Sequence, residues 1–186
     1  MPDRLTNIHL AAPAPCSHLL QFYEDDHQLL DRLEEYVYFG LERQEACVIF
    51  ATVAHLAELR WRLSRRGLDA EEAKTAGLLI ELDAEAALDM FMQDGSPDRE
   101  KFGQATREIV TQARAGGRPV RVFGEMVVLL WNNGQQKAAV SLENLGNDLM
   151  LADDVTLLCA YPATAHQHDP TGLIDDVYAA HTALVL

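Results

Sequence analysis

The sequence is short of positive charge. It has 15 Lys and Arg residues against 29 Asp and Glu residues, which gives a formal net charge of -14 over 186 residues. Binding to nucleic acid or to an anionic membrane surface depends on clustered basic side chains. The charge balance, broken only by short pairs such as Arg65 and Arg66, therefore argues against both as direct partners.

Cysteines and long apolar runs are also scarce. The 3 cysteines, Cys16, Cys47 and Cys159, are far apart and form no CxxC pair. This spacing argues against a disulfide framework and against a structural zinc motif, so we expect reduced thiols. No segment has the apolar length of a membrane helix, and the N-terminus lacks the pattern of a signal peptide. We therefore expect a cytoplasmic protein.

Common catalytic motifs are missing as well. There is no G-x-x-x-x-G-K-[ST] loop, and the segment from Tyr23 to Asp26, before the first long helical pattern, is acidic where a phosphate would need positive charge. Neither G-x-S-x-G nor H-E-x-x-H occurs. The sequence predicts no nucleotide hydrolysis, no enzyme activity and no cofactor.

What is present is an alternation of apolar runs with segments of helical length. Runs that are apolar on both faces, separated by such segments, are typical of a parallel sheet covered by helices. We predict an α/β domain with a mainly parallel central sheet of about five strands flanked by helices. The predicted strands are 18–23, 46–51, 78–82, 120–124 and 155–160.

The two ends of the chain carry different signals. Residues 1–16 contain three prolines among small residues and show no periodicity, which predicts a flexible N-terminal leader. Residues 17–186 are predicted to form one domain, with a last helix near 174–185.

The strand at 120–124 contains an arginine and ends at Gly124 and Glu125. A central strand has no solvated face, so Arg121 needs a partner, which is a structural carboxylate, Glu125 or a ligand acid group. Glu125 follows the carboxyl end of the strand, where ligands bind in open α/β sheets. It is a candidate ligand contact, although a carboxylate at a helix N-terminus also has purely structural uses.

Other candidates end strands or lie near the chain ends. Tyr23 and Tyr161 close two predicted strands, whereas Asp83, at the end of a third, is expected to cap a helix. His18, Cys159 and His181 would form a soft pocket or a metal site if the fold brought them together. Because a histidine in an apolar helix is more often a core residue, we predict no metal site.

Several segments, taken in order, resemble the MEDS domain, the sensory domain named for methanogens, methylotrophs and DcmR. They are HLLQFYEDD from His18, GLERQEACVIFAT at 40–52, RVFGEM at 121–126, SLENL at 141–145, LLCAYP at 157–162, and His181. The resemblance implies a prokaryotic signal-input domain with a degenerate RecA/KaiC-like fold that lacks the phosphate-binding loop. It also implies ligand-binding positions at His18, Tyr23, Arg121, Glu125, Cys159, Tyr161 and His181.

Three functional hypotheses follow. The first is a stand-alone sensory domain, since the sequence ends at Leu186, that binds a small molecule such as a simple hydrocarbon derivative. It would regulate a histidine kinase or transcription regulator in a two-component or related system. The second is a non-catalytic interaction domain with an empty degenerate site, and the third is an unrecognised enzyme using Glu125 as a base. Formation of a homo-oligomer stays open.

Overall fold

The computed structural model describes residues 6–167, 169 and 172–185. The strands are β1 (Thr6–Ile8), β2 (His18–Tyr23), β3 (Ala46–Ala51), β4 (Leu79–Asp83), β5 (Met92–Gln93), β6 (Ser96–Pro97), β7 (Val120–Gly124), β8 (Val155–Pro162) and β9 (Ala183–Val185). The helices are α1 (Asp26–Glu42), α2 (Val53–Arg65), α3 (Ala70–Thr75), α4 (Ala84–Phe91), α5 (Arg99–Ala113), α6 (Met126–Asn132), α7 (Gln136–Asp153) and α8 (Leu173–Ala180).

Seven strands form one sheet in the order β1-β9-β2-β8-β7-β3-β4, and every pairing in it is parallel. Strands β5 and β6 form a separate antiparallel pair. The five predicted strands correspond to β2, β3, β4, β7 and β8. The predicted α/β class with a mainly parallel sheet is therefore confirmed.

The chain ends differ from the prediction. Residues 6–8, assigned to a flexible leader, form β1 and pair with β9, and Leu10 is only 1% exposed. The predicted last helix ends at Ala180, and the chain then forms β9. Each of these two strands has three residues, too few to show a sequence periodicity. Residues 1–5 of the predicted leader lie outside the described residues.

The sheet separates two hydrophobic cores. On one side, which we call the α1 face, the sheet packs against α1, α2 and α3 through residues such as Ile49 and Phe123. On the other, the α7 face, it packs against helices α4 to α8 through residues such as Val122 and Leu157. Because successive strand residues point to opposite sides, Arg121 lies with Phe123 on the α1 face.

In two places, a polar residue at the end of a strand caps the helix that follows. The Thr52 side chain accepts a hydrogen bond from the His55 backbone N–H at the start of α2. The Asp83 carboxylate accepts one from the Glu85 backbone N–H, so the predicted capping of α4 is confirmed.

Candidate functional site

A cluster of titratable side chains is buried on the α7 face. It contains His18 at the start of β2, Glu143 in α7, Cys159 in β8, and His181 directly after α8. One side-chain N, O or S atom from each residue lies within 4.8 Å of those of the other three, and all four residues are buried. We refer to these four residues as the α7 cluster.

The local sequence explains why these side chains meet. His18 and Leu20 point to the same side of β2, and Leu20 lies opposite Cys159 in the parallel register. Glu143 follows Ala139 by four residues and precedes Gly146 by three, so it lies in the helical stripe of α7 that faces the sheet. A Cβ at Gly146 would lie 3.2 Å from Leu157 Cδ1, so glycine allows α7 to approach closely.

The His18 ring is oriented by its Nδ1 atom. This atom lies 3.1 Å from the Ala180 carbonyl oxygen and 3.0 Å from Asn147 Oδ1. A carbonyl oxygen only accepts, so Nδ1 carries the proton and donates it. The other nitrogen, Nε2, then faces Glu143 Oε2 at 3.2 Å and Cys159 Sγ at 3.4 Å.

His181 is held in the same way. Its Nδ1 donates to the Val177 carbonyl oxygen at 2.6 Å, which leaves Nε2 as the atom that points inward. This Nε2 lies 3.7 Å from Glu143 Oε2 and has no hydrogen-bond partner among the described residues. The rings of His18 and His181 are 4.0 Å apart between centroids. Burial, followed by the neighbouring His18, lowers the pKa of His181 to about 4.

Glu143 is the acidic member of the α7 cluster. Burial opposes its charge, but the imidazoles of His181 and His18 and a hydrogen bond from Tyr161 outweigh burial and lower the pKa of Glu143 to about 2. The Tyr161 hydroxyl donates to Glu143 Oε1 at 2.7 Å. The carboxylate is therefore ionised, with one oxygen held by Tyr161 and the other facing both histidines.

The neighbouring acids keep their protons. Burial and then the Glu143 charge raise the pKa of the Cys159 thiol and that of the Tyr161 hydroxyl well above their ordinary values. Tyr161 thus remains a donor to Glu143. Imidazole nitrogen, thiolate sulfur and carboxylate oxygen are the ligand types that proteins use for zinc and related ions, so the residue types of the α7 cluster suit a transition metal.

A small apolar cavity of about 50 Å³ adjoins the α7 cluster. Its wall includes three residues of the α7 cluster, and its other lining residues are largely apolar. These are His18, Glu143 and Cys159, with Phe50, Phe102, Thr106, Val122, Gly124, Met126, Val127, Leu142, Gly146, Leu149, Leu157 and Leu158. A water needs roughly 10–15 Å³ measured in this way, so the cavity has room for a molecule of a few heavy atoms.

A surface groove leads toward this cavity. It has a volume of about 180 Å³ and lies between α5 and α7. Phe102, Thr106 and Leu149 line both the groove and the cavity. An exposed ion pair between Arg99 on α5 and Asp148 on α7 joins the two helices at the groove. The groove and the cavity therefore adjoin each other between α5 and α7.

A second buried acid lies at the carboxyl edge of the sheet. Glu125 is 4% exposed, its Oε1 lies 2.8 Å from His55 Nδ1, and its Oε2 accepts the Thr52 backbone N–H at 2.9 Å. The hydrogen bond to Glu125 raises the pKa of His55 above its ordinary value. Tyr23 lies nearby, and burial followed by the Glu125 charge raises its pKa. Both oxygens of Glu125 thus have protein partners.

Arg121 lies on the α1 face, away from the cavity. Its guanidinium forms an ion pair with Glu45 and donates to the carbonyl oxygens of Leu10 at 2.8 Å and Tyr36 at 3.2 Å. A further bond of 3.3 Å goes to the Ala11 carbonyl oxygen. The carboxylate that the sequence required is therefore Glu45, which precedes β3.

The candidates from the sequence thus divide into two groups. His18, Cys159 and His181 meet in the α7 cluster, and Tyr161 supports it. Tyr23, Arg121 and Glu125 lie elsewhere. Sequence reasoning did not single out Glu143 or His55. An acidic residue within an apolar helical stripe is the signal that would have revealed Glu143, whereas His55 has no comparable signal.

The fold is that of the KaiC-like proteins. A KaiC-like protein from the hyperthermophilic archaeon Pyrococcus horikoshii OT3 superimposes with a TM-score of 0.65 at 16% identity, covering 92% of this chain and 73% of the other. An uncharacterised P. horikoshii protein, solved with an unknown peptide, gives 0.67 at 13% identity, covering 92% and 77%. These likenesses show a RecA/KaiC-like fold, here without the phosphate-binding loop.

The family match is more specific. The family model for the methanogen/methylotroph, DcmR sensory domain, or MEDS, matches residues 17–182. The chain therefore belongs to the MEDS family of sensory domains. No curated protein matches it at a significant level. In the described part of the chain, no helix has both the length and the apolar character needed to cross a membrane.

Proposed function

We propose that this domain senses a small, largely apolar molecule bound in the cavity beside the α7 cluster. The observation that carries the proposal is the cavity itself, which is of about 50 Å³ and has a largely apolar wall except where His18, Glu143 and Cys159 reach it. Such a site suits a ligand with a short apolar part and one polar or polarisable atom. Simple hydrocarbon derivatives of one to a few carbons have this chemistry.

The proposed output is a change in a separate signalling protein, such as a histidine kinase or a transcription regulator. Membership of a sensory-domain family supports this role. Helices α5 and α7 line both the cavity and the surface groove, so a ligand that shifts their packing would alter the outer surface. We expect ligand binding to change amide hydrogen exchange first in these two helices.

Xenon and short halogenated or oxygenated hydrocarbons are suitable probes, because xenon enters small apolar cavities without specific polar contacts. Binding is measured by chemical-shift titration of the full chain. We expect saturable shifts in cavity residues such as Val122 and Leu157. If no probe gives saturable shifts there, the cavity is not a ligand site and the chain acts as an interaction domain.

One variant tests the location. Gly124 lines the cavity, and a Cβ built on it meets no atom within 4 Å, so Gly124→Ala adds a methyl group without a clash. We expect weaker binding of every probe. Gly103→Ala is the matched control, because its Cβ also meets nothing within 4 Å but lies in the outer groove. The control should change the rate of binding at most and leave the affinity unaltered.

A further inference from the structure

The α7 cluster has a feature that apolar ligand binding alone does not explain. Both histidines donate from Nδ1 to backbone carbonyl oxygens, those of Ala180 and Val177. Each therefore points Nε2 toward the Glu143 carboxylate, at 3.2 and 3.7 Å. Two imidazole nitrogens and one carboxylate oxygen share a buried site only when a proton or another cation lies between them.

We propose that the α7 cluster binds one divalent transition-metal ion, with zinc as the expected type, through His18 Nε2, His181 Nε2, Cys159 Sγ and a Glu143 carboxylate oxygen. The sequence alone led us to expect no metal site, because a histidine in an apolar helix is more often a core residue. The structure adds Glu143 as a fourth candidate ligand. One ligand atom from each of these side chains lies within 4.8 Å of the others, so a single metal ion can take the place of the protons that they otherwise share.

The distances fit a tetrahedral ion after small adjustments. Bond lengths of about 2.0–2.3 Å to N, O and S place neighbouring ligand atoms of a tetrahedral zinc roughly 3.3–3.8 Å apart. The measured separations from Glu143 Oε2 to the two Nε2 atoms are 3.2 and 3.7 Å, and His18 Nε2 lies 3.4 Å from Cys159 Sγ. The largest separation in the cluster is within 4.8 Å, so side-chain rotations of modest size complete the site.

The surrounding contacts are those that metal ligands need. Histidine ligands are usually fixed by a hydrogen bond from the other ring nitrogen, and ligating carboxylates are themselves hydrogen-bonded. Here the backbone carbonyls fix His18 and His181, and Tyr161 holds the second oxygen of Glu143 at 2.7 Å. His181 Nε2 has no hydrogen-bond partner in the described part of the chain. The mixed N, S and O ligands favour zinc, cobalt or iron over magnesium or calcium.

Metal binding releases protons. The Cys159 thiol loses its proton to solvent when its sulfur becomes a ligand, and any proton on the Nε2 of His18 or His181 leaves as well. The ion would form part of the cavity wall, because His18, Glu143 and Cys159 all reach the cavity. In this respect the inference rests on the proposed function, since the sensed molecule would then lie beside the metal site.

Cobalt provides the direct test. The full chain is freed of metal with a chelator and titrated with Co²⁺, and its absorption spectrum is recorded. We expect one Co²⁺ per chain, a thiolate-to-cobalt charge-transfer band, and loss of that band after addition of one equivalent of Zn²⁺. Binding without a sulfur band would indicate adventitious binding to the many surface carboxylates, and it would overturn the proposal, as would no binding at all.

Matched variants locate the sulfur ligand. Cys159→Ala should abolish the band, whereas Cys47→Ala, which alters a buried cysteine on the opposite face of the sheet, should keep it. Tyr161→Phe should retain the band but weaken metal affinity by about 10–100-fold, the usual effect of losing a contact that orients a ligand. A band that survives in Cys159→Ala contradicts the assignment.

X-ray absorption on the zinc-loaded parent chain needs no variant, so it decides the matter even if Cys159→Ala does not fold. It should show one sulfur and two imidazole neighbours, and a shell without sulfur overturns the proposal.

Neither metal experiment uses a cavity ligand. Metal binding without xenon or hydrocarbon binding would refute only the proposed function, and the reverse result would refute only the metal site.

Discussion

The two faces of the sheet differ in the partners that surround a buried charge. On the α1 face, Arg121 is 2% exposed and is surrounded by acceptors, namely the Glu45 carboxylate and backbone carbonyl oxygens. On the α7 face, Glu143 is 1% exposed, and its carboxylate accepts from Tyr161 and faces the Nε2 atoms of two histidines. The first site is completed by a carboxylate and backbone carbonyl groups, whereas the second consists of titratable side chains whose shared cation is either a proton or a metal ion.

This difference separates a structural site from a functional one. A buried charge whose partners are all supplied by the protein fixes the packing of its neighbours, as Arg121 does for residues 10 and 11, α1 and β7. A cluster of side chains of the metal-ligand type, whose two rings are oriented by backbone carbonyl groups, can instead hold an ion that the chain does not itself supply. The sequence reveals only that a charge is buried, so it does not distinguish a structural site from a functional one.

The largest expected effect comes from removing the buried charge of Arg121. Removing one partner of a buried ion pair costs about 3–5 kcal/mol, and Arg121→Ala also leaves the Leu10 and Tyr36 carbonyl oxygens without this donor. We expect the free energy of unfolding, measured by denaturant titration, to fall by that amount. Arg107→Ala, at an exposed position of α5, is the control and should change it by less than about 0.5 kcal/mol. A small loss at Arg121 would show that its contacts are not structural.

The second prediction concerns metal at the α7 cluster. A ligand that binds only the folded state stabilises it by about 2.7 kcal/mol when its free concentration is about 100 times Kd. We expect Zn²⁺ to raise the melting temperature of the parent chain and of Cys47→Ala, but not that of Cys159→Ala. Chelator should reverse the rise. Equal effects of zinc on all three chains would place the metal outside the α7 cluster.

The third prediction compares a glycine on each side. In α1, a Cβ at Gly40 would lie 2.6 Å from Cys47 Sγ and 3.1 Å from Arg121 Cδ, whereas at Gly124 it meets no atom within 4 Å. Because overpacking costs about 1–3 kcal/mol, we expect Gly40→Ala to lower the unfolding free energy by that amount. Gly124→Ala should stay within about 1 kcal/mol of the parent chain. Similar losses for both variants would mean that the cavity is already closed.

The fold was largely predictable from the sequence, because five strands are apolar on both faces. Such strands can be recognised without knowing which strands they pair with. Strands β1 and β9 were not, since each has three residues and pairs with a segment from the other end of the chain. The same limit applies to the site. His18, Cys159 and His181 were recognised by residue type, but their meeting depends on the pairing of β2 with β8 and on the position of α8.

Glu143 shows what sequence reasoning missed and why. Its neighbours in the helical stripe, Ala139 and Gly146, are small, and this pattern predicts close packing of the helix against the sheet. A carboxylate is unexpected in such a buried contact. Only the structure shows that two imidazoles face that carboxylate. Arg121 illustrates the converse, because the sequence correctly required a carboxylate partner but did not indicate Glu45.

The smallest expected effect is a pH dependence from His55 and Glu125. The hydrogen bond to Glu125 raises the pKa of His55 above 6.5, and the Glu125 and Asp26 carboxylates both face its ring, at 2.8 and 3.8 Å. A group whose pKa is raised in the folded state contributes stability that is fully present below its unfolded value and is lost as the pH rises through its folded value. The melting temperature should therefore fall as the pH rises from 6.5 upward.

His55→Gln and Glu125→Gln should each flatten this slope, while Glu125→Gln retains an oxygen that accepts the Thr52 N–H. If the slope persists in both variants, a group other than His55 titrates in this range.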